Sequence, residues 1–112
     1  SRWVFSRQAL LDYYQDLRDE PERLVKVFDS LKPVYENGRI GGYRLGVEGE
    51  REFFEASGLK EGDIVRSVNN LEMRNRVRAE FLISQFIVGN ANGFVFDVER
   101  GAERVNLTYE VR

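Results

Sequence analysis

Neither cysteine nor histidine occurs anywhere in the 112 residues. The first absence excludes disulfides, thiolate zinc sites and cysteine nucleophiles, and leaves the redox compartment open. The second removes the usual general base and the commonest metal ligand. No apolar run approaches the roughly 18 residues that a membrane span needs, and no signal peptide is visible. No charge of one sign dominates either: 17 basic residues stand against 19 acidic ones. A polyanion-binding domain is clearly basic, so nucleic acid is not expected as a partner. Asp-Thr-Gly, Gly-x-Ser-x-Gly and P-loop motifs are missing, and the chain is expected to be no enzyme and to hold no cofactor. Glu48, Glu50, Glu52 and Glu55 lack the alternating Asp/Asn/Gly ligands of a calcium loop, and read as a solvated helix face rather than a metal site.

What the chain does have is 42% hydrophobic residues, enough for one modest core. The stretch from Asn37 to Asn70 organises it. Asn37-Gly38 is a strong hairpin signal because both residues tolerate positive φ. Gly41-Gly42 permits a sharp turn or a close approach just before the strand Tyr43-Arg44-Leu45, which runs on toward Val47. Glu50 to Ser57 has a helical pattern, with Phe53, Phe54 and Ala56 as its apolar members. Gly58 follows where a left-handed C-cap belongs, with Leu59 as its hydrophobic contact. Glu61-Gly62-Asp63 then turns the chain into the β-branched strand Ile64 to Val68, which Asn69-Asn70 closes.

Upstream, Ser1 to Leu31 reads as two helices. Ser6 suits an N-cap, and Leu10, Tyr14 and Leu17 share one face. Asp19 is expected to cap the second helix, with Pro21 in its first turn and a stripe of Leu24, Val25, Phe28 and Leu31. Trp3 and Phe5 add apolar bulk that suits an exposed contact or the edge of a core. Pro33 ends the helical stretch, and Val34-Tyr35 reads as a strand.

Downstream, Asn75 to Val88 is a helix with two apolar stripes. Ala79, Leu82, Ile83, Phe86 and Ile87 are expected to lie on a sheet. Val77, Phe81, Ser84 and Val88 face the other way, either into a groove beside Tyr43–Leu45 or under the N-terminal helices. Arg74, Arg76 and Arg78 gather at the helix start, an unfavourable place for cations. Gly89 to Gly93 is a turn, and two period-2 strands, Phe94 to Arg100 and Val105 to Val111, form a hairpin joined by Gly101-Ala102-Glu103-Arg104.

Gly42-Tyr43-Arg44-Leu45, followed by a short helix and Gly58-Leu59-Lys60-Glu61-Gly62-Asp63-Ile64-Val65 leading to Val68-Asn69-Asn70, resembles a bacterial PDZ domain. With Pro33-Val34-Tyr35 and the leading helices, the chain is similar to the PDZ domain of the type II secretion system protein C family from about Ser6 to Val111. The resemblance implies an α+β fold: a PDZ-like small barrel or sandwich of about five short strands with two helices. An N-terminal helical extension, residues 1–32, would precede the PDZ-like unit, residues 33–112.

It further implies a periplasmic, non-enzymatic interaction module of an inner-membrane protein, anchored by a segment outside this chain, since Ser1 in place of Met reads as the start of an excised fragment. The implied partners are secreted exoproteins or extended peptides, and, through the parent protein, the outer-membrane secretin and the inner-membrane platform. By general PDZ geometry a peptide would add to the Tyr43-Arg44-Leu45 strand, with Gly41 and Gly42 offering N–H groups and Val77, Phe81 and Ser84 lining the groove. Arg44 stands where many peptide-binding members carry a second Gly, which favours strand addition over capture of a terminal carboxylate. Two alternatives stay open: a substrate-gating PDZ domain of a bacterial protease, and a structural module whose groove is closed by its own N-terminal helices.

Overall fold

The computed structural model describes the chain except for Ser1, Val47, Glu48 and Asn90, and for Ile83 and Ile87 it describes the backbone alone. Expectations for Val47 as a strand end, Glu48 in the acidic cluster, Asn90 in a turn, and Ile83 and Ile87 on the inner stripe lie outside the described residues.

The elements are β1 (Arg2–Phe5), α1 (Arg7–Asp19), α2 (Pro21–Ser30), β2 (Lys32–Glu36), β3 (Arg39–Arg44), α3 (Arg51–Ala56), β4 (Ile64–Val68), β5 (Leu71–Glu72), α4 (Arg76–Ile87), β6 (Gly93–Arg100) and β7 (Glu103–Val111). The strands form one mixed sheet in the order β1-β7-β6-β4-β3-β2, with β5 paired to β4. The fold is α+β as expected. Among the described residues the sheet has seven strands rather than about five and stays open at β1 and β2 instead of closing into a barrel.

Local chemistry explains most boundaries. Asn37 and Gly38 both have positive φ and join β2 to β3, and Asn69 and Asn70 do the same between β4 and β5. In α1, Ser6 caps as expected, its hydroxyl accepting from the Ala9 N–H at 3.2 Å. Asn75 caps α4 in the same way, accepting from the Arg78 N–H at 3.1 Å. The end of α3 is a Schellman turn: the Leu59 N–H bonds the Phe54 carbonyl and the Gly58 N–H that of Glu55, each at 3.1 Å.

Three expectations are corrected. Asp19 does not cap α2: only Glu20 separates the helices, so Asp19 remains the last residue of α1 and Gln15 Nε2 donates to its carboxylate at 3.0 Å. Trp3 and Phe5 belong not to a helix but to β1, which pairs in parallel with β7 and stacks both rings on Tyr109. The first strand thereby lies in the same sheet as the rest of the chain. The last hairpin turns more tightly than expected, over Gly101-Ala102 alone, because Glu103 and Arg104 continue β7 opposite Arg100 and Glu99.

The core forms around Leu45, Leu59, Val65, Val68, Met73, Val98, Leu107 and Tyr109, with Ala79 and Leu82 of α4 packed on it. Tyr109 crosses from the sheet to donate its hydroxyl to the Ser57 carbonyl behind α3. Burial pushes that phenol up to about 12.

Candidate functional site

The strand expected to receive a peptide lies inside the sheet. Tyr43 and Arg44 pair with Val65 and Ile64 of β4 on one side and with Pro33 and Lys32 of β2 on the other. Leu45 is buried, its N–H bonded to the Asp63 carbonyl at 2.8 Å and its own carbonyl to the Gly62 N–H at 2.9 Å. No backbone edge is therefore left for strand addition at Tyr43-Arg44-Leu45. The cause is topological: the Asn37-Gly38 hairpin folds β2 onto that flank and makes β2 the edge.

Gly41 and Gly42 are strand residues rather than an open loop. A Cβ on Gly42 would stand 2.8 Å from the Val65 carbonyl oxygen, so the glycine permits a close approach to β4. The Gly41 carbonyl accepts from Arg66 Nη1 at 2.9 Å. Arg66, with little of its side chain exposed, also pairs with Glu36 of β2 at 3.0 Å and Glu99 of β6 at 3.1 Å, and so ties the edge strand to the sheet centre.

On α4 the residues expected to line a groove are exposed. Val77 keeps 68% of its surface and Phe81 54%, and the Ser84 hydroxyl, also exposed, donates back to the Phe81 carbonyl at 2.7 Å. Ala79 and Leu82 pack on the core, while Phe86 meets Phe94. At about 100° per residue the Val77–Phe81–Ser84 line lies about 160° from that inner side and points away from the sheet. The Gly41–Leu45 set and the Val77–Ser84 set therefore do not share a cleft. Nor do the N-terminal helices cover the outer stripe. From α1, Arg7 reaches α4, crossing the Phe86 ring and donating to the Phe86 carbonyl at 2.8 Å. Arg74 and Arg78 turn back onto Glu72, through its carboxylate and its carbonyl respectively, each at 2.8 Å.

The helices α1 and α2 dock instead on the entry to α3, through a buried carboxylate that the sequence reading had placed on a solvated face. Glu50 accepts from Arg23 Nη2 at 2.7 Å, from Arg23 Nε at 3.0 Å and from the Tyr13 hydroxyl. Tyr13 also stacks on Phe53. The Arg23 hydrogen bonds hold the Glu50 carboxyl below its ordinary range, against the opposing effect of its burial. Burial, and then the Glu50 carboxylate, raise the Tyr13 phenol above its usual value.

A carboxyl held low stabilises the fold above its unfolded-state value of about 4.3, and the contribution is lost as pH falls through the lower folded value. Near-UV circular dichroism of Tyr13 is expected to show the helices loosening below about pH 4. Glu50→Gln should remove that acid step. An acid step that survives the substitution would place the titrating group elsewhere.

Two surface depressions are lined by Ser67, Asn70, Val95, Asp97, Arg104 and Asn106, and by Glu55, Gly58, Leu59 and Lys60, and neither involves α4 or β3. Among the described residues no three acidic side chains converge as metal ligands, and no helix is long and apolar enough to cross a membrane.

Several curated relatives of this sequence share one name. Type II secretion system protein C of Klebsiella pneumoniae is 26% identical over 98 residues, which cover 88% of this chain and 33% of that protein. The protein of the same name from Aeromonas salmonicida is 34% identical over 71 residues, 63% of this chain and 24% of its own length. This chain thus spans about a third or less of the curated relatives it matches. No family model matches it. Among solved structures, the PDZ domain of EpsC from Vibrio cholerae superposes with a TM-score of 0.57 at 20% identity, covering 91% of this chain and 98% of that one. The fold is that of the PDZ domain of type II secretion system protein C. The PDZ domain of the Klebsiella pneumoniae pullulanase C protein, solved in complex with fatty acid, also matches, with a TM-score of 0.53 at 23% identity over 72% of this chain and 81% of that one.

Within this PDZ fold the feature that sequence reasoning missed is the free flank of β2. Among the described residues the sheet order leaves its outer edge without a neighbouring strand, and Tyr35 stands on it 65% exposed. Pro33 contributes no N–H, and a bulge falls between Val34 and Tyr35. Both features limit indiscriminate pairing at an edge. The available signal was the hairpin itself: once Asn37-Gly38 folds β2 back, one of its two strands can become terminal.

Proposed function

We propose that this chain is a non-enzymatic protein–protein interaction module, the periplasmic PDZ domain of an inner-membrane type II secretion component. In this reading it takes up an extended segment of a secreted protein or of a secretion-machinery partner by strand addition. The single observation that carries the reading is the outer edge of β2, which no strand among the described residues pairs, in a sheet where β3 and β4 beside it are engaged on both sides. Gly41 and Gly42 let β3 seat closely on β4, and Tyr43, Arg44 and Leu45 back the receiving strand rather than touch the peptide. Tyr35 supplies an exposed aromatic contact at the edge. The Klebsiella domain's fatty acid supports an apolar component in recognition by this fold.

The helical part of residues 1–32 is held to the unit of residues 33–112 by Arg23, Tyr13 and Glu50, while β1 at its start is a strand of that unit's own sheet. The secretion names of the sequence relatives favour that parent over a protease, and contact with the secretin and the inner-membrane platform belongs to the whole protein.

Titration of the isotope-labelled chain with a phage-selected extended peptide is expected to shift the amides of Lys32 to Glu36 most strongly, and Tyr35→Asp is expected to weaken binding about tenfold or more. Shifts that leave β2 untouched would overturn strand addition at this edge.

A further inference from the structure

We propose that the β2 edge selects extended segments that carry an acidic side chain, which Lys32 meets at the start of the strand. The inference rests on strand addition at that edge and names the chemistry of the added segment. Tyr43 packs against the core and Pro33 stands opposite it, so Lys32, Val34 and Arg44 belong to the other face of the sheet. On that face Lys32 and Arg44 are direct cross-strand partners, and both are exposed. Like charges directly opposite each other on neighbouring strands are destabilising.

Nothing in the chain relieves that pair. Among the described residues neither cation has a carboxylate partner, whereas Arg66, Arg100 and Arg104 each hold one. The far end of the same edge is built the other way: Glu36 stands opposite Arg39 and pairs with Arg66 at 3.0 Å. The edge therefore carries uncompensated positive charge at one end only. Repulsion from Arg44, one strand behind, favours a Lys32 ammonium turned outward, toward the position of an added strand. Arg44 adds to the potential there without touching the ligand.

On an added strand, the side chain opposite Lys32 lies on the same face with its Cβ about 5 Å away. Asp or Glu at that position neutralises a charge that the chain alone leaves unanswered. The next side chain on this face, two residues along, meets the half-buried Val34 and is apolar. The recognised pattern is thus an acidic and an apolar residue two positions apart, and the acidic one fixes the register.

Short peptides selected by phage display on this chain are expected to show one position enriched in Asp and Glu. The winning sequence is then made acetylated and amidated, so that it has no terminal carboxylate, with Asp or Asn at that position. Both forms should shift the amides of Lys32 to Glu36. The Asp form is expected to bind about three- to fivefold more tightly at about 0.01 M salt, with the gap closing toward about 1 M. In Lys32→Glu the preference should invert, a Lys form of the peptide then binding best. The melting temperature of that variant should not fall, since it sets a glutamate opposite Arg44.

Equal binding of the Asp and Asn forms, with β2 amides still shifting, would overturn acid selection and leave strand addition standing. So would a selection without an acidic position, or a preference for Asp that survives Lys32→Glu. An Asn form with a free C-terminus that gains as much as the Asp form would mean capture of a terminal carboxylate, and would overturn the proposal too. Peptides that bind without shifting β2 would overturn strand addition itself, and this inference with it.

Discussion

Replacing Asp63 with alanine is expected to lower stability by about 3 kcal/mol and the melting temperature by about 12 °C. Asp63 is 1% exposed and serves three donors: Arg100 Nε at 2.9 Å, Arg100 Nη2 at 2.9 Å, and the Lys60 N–H at 2.8 Å. The same guanidinium also reaches the Gly58 carbonyl at 3.0 Å, joining the α3–β4 turn to the end of β6. Truncation leaves a half-buried cation facing an apolar gap and frees the turn that sets the start of β4.

The exposed pair Arg104–Asp97 looks similar on paper, yet Arg104→Ala is expected to cost no more than about 0.5 kcal/mol, because more than half of that arginine side chain stays in water. Thermal melts of the two variants side by side check the contrast. Equal costs would mean that burial of Asp63 contributes nothing. In a double-mutant cycle, Asp63→Ala and Arg100→Ala should be strongly non-additive, since each removes the same contact.

The second large effect is expected at Gly58. Its φ is +79°, and a Cβ there would lie 2.2 Å from the Trp3 ring. The left-handed conformation alone costs a non-glycine residue about 1 kcal/mol, and the ring must leave its seat as well. Gly58→Ala is therefore expected to destabilise by about 3 kcal/mol in total and to shift the emission of the only tryptophan to the red as β1 is pushed off the sheet. Gly62 isolates the backbone share, because its φ is +90° and nothing stands within 4 Å of its Cβ position. Gly62→Ala should cost only about 1 kcal/mol with no change in emission. If both variants behave alike, Trp3 is not seated on Gly58.

Much of the local architecture was legible in the chain alone. Asn37-Gly38, Asn69-Asn70 and Gly58 each declare a backbone conformation that few other residues adopt, and the Ser6 hydroxyl suits a helix N-cap, so turns and a cap could be placed without knowing what lies beyond them. The alternation in β6 and β7 and the two stripes of α4 were equally plain, because periodicity is a property of neighbours in sequence. The Gly-Leu-x-x-Gly-Asp run pointed to the fold for the same reason: a Schellman turn and an aspartate folded back on the Lys60 N–H are local structures.

What the tertiary structure alone decided is who stands beside whom. Arg2–Phe5 has too few residues to reveal a strand, and its partner β7 is about a hundred positions away, so Trp3 became a core ring only by pairing. Glu50 looked solvated because Tyr13 and Arg23, which bury it, come from helices that the sequence could not orient. The α4 stripe was visible, but whether it faced a groove, the N-terminal helices or water depended on how the helix rolled onto the sheet. Strand order is of the same kind. A hairpin says that β2 and β3 pair, and only the long-range contact of β3 with β4 leaves β2 as the open edge.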